Sequence, residues 1–94
     1  MGTIYIAGVF FMFSSGEELC VYTAPGPEMT AAKVLASGMA KRIALSSRTP
    51  SSILKVYGDV AEIKMDTRKA ATVYKATFDR TGQMTEEDYT VENW

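Results

Sequence analysis

Hydrophobic and polar positions change their spacing along the chain, and the changes mark two early strands. Residues 3–13 are almost all apolar, with many β-branched and aromatic side chains, which predicts a strand that is central in a sheet or covered on both faces. A Ser-Ser-Gly-Glu turn at 14–17 leads into a second strand over 18–23, so the two strands form a hairpin. The Pro-Gly-Pro sequence at 25–27 then ends the second strand.

Helical spacing replaces this pattern from about residue 28 to residue 46. One face of the predicted helix is apolar and consists of Ala32, Leu35, Ala36, Met39, Ala40 and Ile43. Gly38 lies in the middle of this helix, where glycine costs about 1 kcal/mol relative to alanine. We expect a close approach of the helix to a sheet at Gly38, because such packing would explain the residue.

The rest of the chain, from residue 53 onwards, returns to strand-like alternation. Residues 53–57, 60–65 and 71–78 predict strands, with Gly58-Asp59 as a turn signal, and 85–91 is a candidate short edge strand. The predicted order is β-β-α-β-β-β. The chain is therefore expected to form a single α+β domain over residues 1–94, with one helix on one face of a mostly antiparallel sheet. Trp94 is expected to dock on this domain.

The second face of the sheet is expected to meet water or a partner. Its candidate residues are aromatic or basic and belong to three of the predicted strands. They are Tyr5, Lys55, Tyr57, Lys64 and Lys75.

Composition restricts the chemistry that this domain can perform. The 94 residues include no histidine and one cysteine, so the usual general base and a cysteine-based zinc site are both missing. We predict that the protein is not an enzyme, has no catalytic residue, and binds no cofactor and no metal. Cys20 is expected to be a buried structural thiol, and a free thiol fits a reducing compartment, the cytoplasm. The apolar run at 4–13 is about half the length of a membrane-spanning helix.

Charge is segregated along the chain, although the net charge is only −1. Residues 1–28 carry three acids and no base, residues 29–75 carry nine bases and three acids, and residues 76–94 carry one base and five acids. The candidates for a binding site, four basic residues and one serine, lie on the exposed helix face and in the loop beyond it. They are Lys33, Ser37, Lys41, Arg42 and Arg48.

Cations next to small hydroxyl residues suit contacts to phosphate, because both types of side chain donate hydrogen bonds to phosphate oxygens. A second contact is expected from the acidic run Glu86, Glu87 and Asp88, which could imitate a row of phosphates. The isoelectric point near 5.3 is too low for a general duplex-binding protein. A target that is part protein and part nucleic acid fits this mixture better.

The chain resembles the small phage-encoded anti-CRISPR proteins, in particular the inhibitors of type I-F surveillance complexes. The resemblance lies in the short length, the start Met-Gly-Thr-Ile-Tyr-Ile-Ala-Gly, the Ala/Lys-rich helix at 30–42 and the strands that follow. It implies stoichiometric inhibition: the protein would bind Cas subunits of a crRNA-guided complex in the host cytoplasm and block recognition of target DNA. Contact with the guide RNA is left open, and the group provides no binding residue to transfer.

Two other functions compete with this prediction. The alternative is a small structural or regulatory phage protein that forms oligomers through its open sheet face and edge strand, without contacting nucleic acid. An enzyme is the least favoured, because no acid–base pair can be named. For the inhibitor we expect a monomer or a weak homo-oligomer, with no membrane contact.

Overall fold

Five strands and one helix follow one another in the predicted order. The computed structural model describes residues 2–91, so Trp94 lies outside the described part of the chain. The elements are β1 (Thr3–Phe13), β2 (Glu18–Gly26), α1 (Met29–Leu45), β3 (Ile53–Lys64), β4 (Lys69–Asp79) and β5 (Met84–Asp88).

The strands form one sheet in the order β2-β1-β3-β4-β5, and every neighbouring pair is antiparallel. α1 packs across β1, β3 and β4 and covers one face of the sheet. No second helix in residues 2–91 covers the other face, which we call the open face. The predicted two-layer α+β fold is confirmed. The helix has 17 residues, and no helix in this range is long and apolar enough to cross a membrane.

β3 runs without a break through Gly58 and Asp59, where the sequence predicted a turn. That prediction was wrong because Gly58 has a packing function: it lets the backbone of α1 lie directly on the sheet. A Cβ atom built on Gly58 would lie 2.3 Å from the carbonyl oxygen of Ala36. The helix presents only small side chains to this contact. Its buried residues are Ala32, Ala36, Ala40 and Ala44.

Gly38 does not make the close contact that its position in the helix predicted. A Cβ atom built there would meet no atom within 4 Å, so the residue faces open space. The close approach of helix and sheet takes place at Gly58, on the strand. The intrinsic cost of glycine in a helix therefore has no compensating contact at Gly38 among the described residues.

Strand alternation assigns each residue of β3 to one face of the sheet. Gly58 contacts the helix, so its neighbours Tyr57 and Asp59 lie on the open face. Lys75 pairs with Asp59 across β3 and β4 and shares that face. Three of the five residues expected on the open face are therefore there, namely Lys55, Tyr57 and Lys75.

The other two residues expected on the open face lie on the helix side. Tyr5 packs against the hydrophobic core beneath α1. It pairs with Glu62, which lies four positions from Gly58 on β3 and therefore faces the helix as Gly58 does. Lys64 lies two positions beyond Glu62 and therefore shares its face.

Candidate functional site

Lys33, the first of the predicted basic residues, is engaged within the chain. Its Nζ atom lies 2.8 Å from Oδ1 of Asp88 in β5, and 5.1 Å from the centroid of the Tyr74 ring. The structure thus joins one residue of the predicted basic site to one residue of the predicted acidic contact. Lys33 is not a free cation on the helix surface, because its side chain meets that of Asp88 from β5.

Ser37 is likewise used within the helix. Its hydroxyl group donates a hydrogen bond of 2.8 Å to the carbonyl oxygen of Lys33, one turn earlier. The hydroxyl proton that would serve a phosphate oxygen is therefore committed to the backbone. Lys33 and Ser37 are therefore both excluded from the candidate site, because each already has a partner in the chain.

The acidic run is divided between the two faces of the sheet. Glu86 and Asp88 lie on the helix side, where Glu86 accepts a hydrogen bond from the hydroxyl group of Tyr74. Burial, followed by this bond, raises the pKa of Tyr74 to about 12. Glu87 points to the opposite side and accepts a hydrogen bond of 3.1 Å from the hydroxyl group of Tyr89. The three carboxylates therefore do not form one acidic patch, contrary to the expected second contact.

The other three basic residues gather where α1 ends. Lys41 and Arg42 occupy its last turns and Arg48 lies in the turn beyond, and all three side chains are exposed. None of the three side chains forms a hydrogen bond or an ion pair with another residue of the described part of the chain. We call Lys41, Arg42 and Arg48 the cationic end. Of the predicted basic site, this is the part that the structure leaves available to a partner.

Arg80 holds the segment that carries the cationic end, a function that the sequence did not suggest. Its guanidinium group donates five hydrogen bonds, of 2.8–3.3 Å, to five backbone carbonyl groups. The acceptors lie at the end of α1, in the following loop and at the start of β3. They are Ala44, Ser46, Thr49, Pro50 and Ile53.

A guanidinium group has five N–H donors, so Arg80 is fully occupied. The loop over residues 46–52 is therefore fixed at several points, and Arg48 is displayed from a rigid support. Thr49 adds to this support, because its hydroxyl group donates a hydrogen bond of 2.7 Å to the carbonyl oxygen of Ile43.

Residues 2–91 contain no group of three or more histidine, cysteine, aspartate or glutamate residues that could hold a metal ion. Cys20 is exposed on the outer strand β2, so the expectation of a buried thiol was wrong. The reason is topological, because β2 is an edge strand and most of its side chains are exposed.

Comparison of the chain with protein family models, curated proteins and solved structures finds no match.

Proposed function

We propose that this protein is a stoichiometric binding protein that acts by covering a surface of a larger complex, with the cationic end as its contact. The observation that carries the proposal is that three cations without a partner among residues 2–91 lie at the end of α1, where Arg80 fixes the backbone between Ala44 and Ile53. A loop with a fixed backbone loses less conformational entropy on binding than a flexible loop does. Glu86 and Asp88 are excluded from the contact, because each already holds a partner inside the chain.

The target that we propose is a CRISPR–Cas surveillance complex in the cytoplasm of the host cell. This target rests on the resemblance to the anti-CRISPR group. The chemistry of the cationic end is compatible with it, because arginine and lysine bind both the carboxylates of Cas subunits and the phosphates of a guide RNA. Ser47, Ser51 and Ser52 lie in the same loop as Arg48 and offer further hydroxyl donors. Binding there would block recognition of target DNA without any chemical step.

Charge reversal of the cationic end tests this proposal. We expect the K41E/R42E variant to bind a purified type I-F surveillance complex about 100-fold more weakly, because each lost contact to an anionic group is worth about a factor of ten. R48E reverses a single charge of the cationic end and is compared with R68E. Arg68 is the matched control because it is exposed in the turn at the far end of β3. Affinity is measured by biolayer interferometry at several salt concentrations.

The salt dependence separates the two kinds of contact. If phosphates are bound, the negative slope of log K against log salt becomes shallower by just under one unit for each phosphate contact removed. A slope that is the same in wild type and K41E/R42E indicates contacts to protein alone. Unchanged affinity in K41E/R42E would exclude the cationic end from the interface.

A second candidate function is self-association through the edge of β2. Residues 19–27 contain no charged side chain, and Leu19 and Val21 are 53% and 39% exposed. The opposite edge strand β5 has only five residues, three of them acidic. Natural edge strands are usually protected by charges, so the contrast between the two edges favours pairing at β2.

The oligomeric state tests this second candidate. We expect the wild-type protein to form a dimer at high concentration and the V21K variant to remain a monomer, because a lysine on the edge opposes strand pairing. T85K, which adds the same charge to β5, is the control and should still dimerise. Sedimentation equilibrium gives the association constants. A wild-type protein that stays monomeric over the whole concentration range would rule the candidate out.

A further inference from the structure

The open face carries a cavity of about 310 Å³ that lies apart from the cationic end. Its lining residues come from β3, from β4 and from the segment after β5. They are Tyr57, Asp59, Thr72, Lys75 and Tyr89. Two phenol rings, a carboxylate, an ammonium group and a hydroxyl group therefore surround one small volume.

The carboxylate of Asp59 is the unusual group in this cavity. It makes no hydrogen bond or ion pair with any other residue of the described chain, although Lys75 lies directly opposite on β4. The side chain leans towards β1, where a Cβ atom on Gly8 would lie only 2.9 Å from Asp59 Oδ1. Glycine at position 8 therefore makes room for this carboxylate. Burial raises the pKa of Asp59, opposed by the charge of Lys75.

Lys75 is held by an aromatic ring instead of by Asp59. Its Nζ atom lies 4.1 Å from the centroid of Tyr57. Phe10 stacks on the same tyrosine at 4.8 Å, and the Tyr57 hydroxyl group donates a hydrogen bond of 2.8 Å to Glu18. Tyr57 is thus fixed on several sides and forms a rigid wall of the cavity, while Lys75 contacts its ring and makes no ion pair with the carboxylate of Asp59.

Tyr89 lines the cavity as well and is 40% exposed. Its backbone N–H donates to the carbonyl oxygen of Val73, and its hydroxyl group donates to Glu87. Glu18 and Glu87 therefore lie beside the two tyrosine hydroxyl groups. Together with Asp59 they give the cavity and its surroundings three carboxylates, against the ammonium groups of Lys75 and of Lys55 on the same face, so the net charge favours a cationic occupant.

We propose that this cavity binds a guanidinium group, namely an arginine side chain presented by a partner protein. A guanidinium group is planar, donates two parallel hydrogen bonds to one carboxylate and stacks on aromatic rings. The cavity offers one carboxylate that accepts no hydrogen bond from residues 2–91, and an exposed tyrosine ring. An anionic occupant would meet three carboxylates. This inference is independent of the proposed function, because it involves none of the residues of the cationic end.

Titration with a small probe tests the inference. Nα-acetyl-L-arginine amide is added to the ¹⁵N-labelled protein, and amide shifts are followed by NMR. We expect saturable shifts at Asp59, Thr72, Lys75 and Tyr89. The corresponding citrulline derivative, which has the same shape without the charge, should bind at least about 10-fold more weakly, because hydrogen bonds between charged groups are the stronger ones.

Variants of the chain locate the binding site. D59N should weaken binding of the arginine probe by about 10-fold or more, and E62Q, which removes a carboxylate from the other face of β3, should leave it unchanged. K41E/R42E should bind the probe like wild type, whatever becomes of the proposed function. Equal binding of arginine and citrulline probes, shifts elsewhere than at this cavity, or full affinity in a folded D59N protein would each overturn the inference.

Discussion

Replacement of Gly58 by alanine is expected to destabilise the fold by about 3 kcal/mol or more, because the added methyl group collides with backbone. The new Cβ would lie 2.3 Å from the carbonyl oxygen and 2.6 Å from the carbonyl carbon of Ala36. Neither atom can rotate away, so α1 must move off the sheet. For a domain of this size, such a loss lowers the melting temperature by about 12–24 °C. Thermal unfolding followed by circular dichroism measures the change.

Gly38 provides the matched control for this substitution. Its Cβ position is open, so G38A adds a methyl group in a helix without a collision. We expect G38A to raise the free energy of unfolding by about 1 kcal/mol, since alanine has the higher helix propensity. The same chemical change thus has opposite signs at the two glycines. A G58A protein that melts within a few degrees of wild type would contradict the observed packing of α1 on β3.

The two glycines also show how far the sequence could predict the fold. The alanine spacing predicted the helix and the burial of Ala32, Ala36 and Ala40 correctly, because that signal is local and periodic. Leu35, which was expected on the same face, is 38% exposed, and the fourth buried residue is Ala44. Gly58-Asp59 has the composition of a turn, and only the packing of α1 shows that it belongs to a strand. For the same reason the sequence did not identify Asp59 as a candidate site residue, because a turn would have placed its carboxylate in solvent instead of on the open face.

The candidate site was predictable only in part, for a similar reason. Lys33 and Lys41 look equivalent in the sequence, since both lie on the exposed helix face. They differ because β5 places Asp88 beside Lys33, whereas Lys41 has no partner in the described part of the chain. That difference depends on the sheet order, which brings residues 55 positions apart in the chain into contact. Local spacing contains no information about it.

Arg80 is the clearest case of a residue that sequence reasoning could not assign. Its five acceptors are all backbone carbonyl groups, which every residue type provides, so no pairing of side chains marks the interaction. Charge patterning identified the acidic last segment, in which Arg80 is the single base. It did not show that this base organises the end of the helix.

The largest effect expected from removing a polar side chain is that of Arg80. R80M keeps most of the apolar stem and removes all five donors, and we expect it to lower the free energy of unfolding by about 3 kcal/mol. A hydrogen bond to a charged group contributes about 1.5–3 kcal/mol when its partner stays buried. The expected loss of free energy of unfolding is well below the sum of five such bonds. Part of the loop at 46–52 is exposed, so water can replace some of the lost donors.

R80K distinguishes the geometry of the donors from the charge. Lysine keeps the charge but has only three donors at one nitrogen, so at least two of the five carbonyl groups lose their partner. We therefore expect R80K to be destabilised by about 2 kcal/mol, between wild type and R80M. Urea unfolding measures the three proteins under one set of conditions.

Arg48 supplies the control, because it is an arginine on the same loop whose guanidinium group has no partner among residues 2–91. R48M should change the free energy of unfolding by less than about 0.5 kcal/mol, as is usual for exposed sites. Hydrogen exchange adds a local readout. In R80M the amides of Thr49 and Ile53, which donate to Ser46 and Pro50, should exchange much faster than in R48M. If R80M and R48M were equally stable and equally protected, Arg80 would not be the residue that fixes the support of the cationic end.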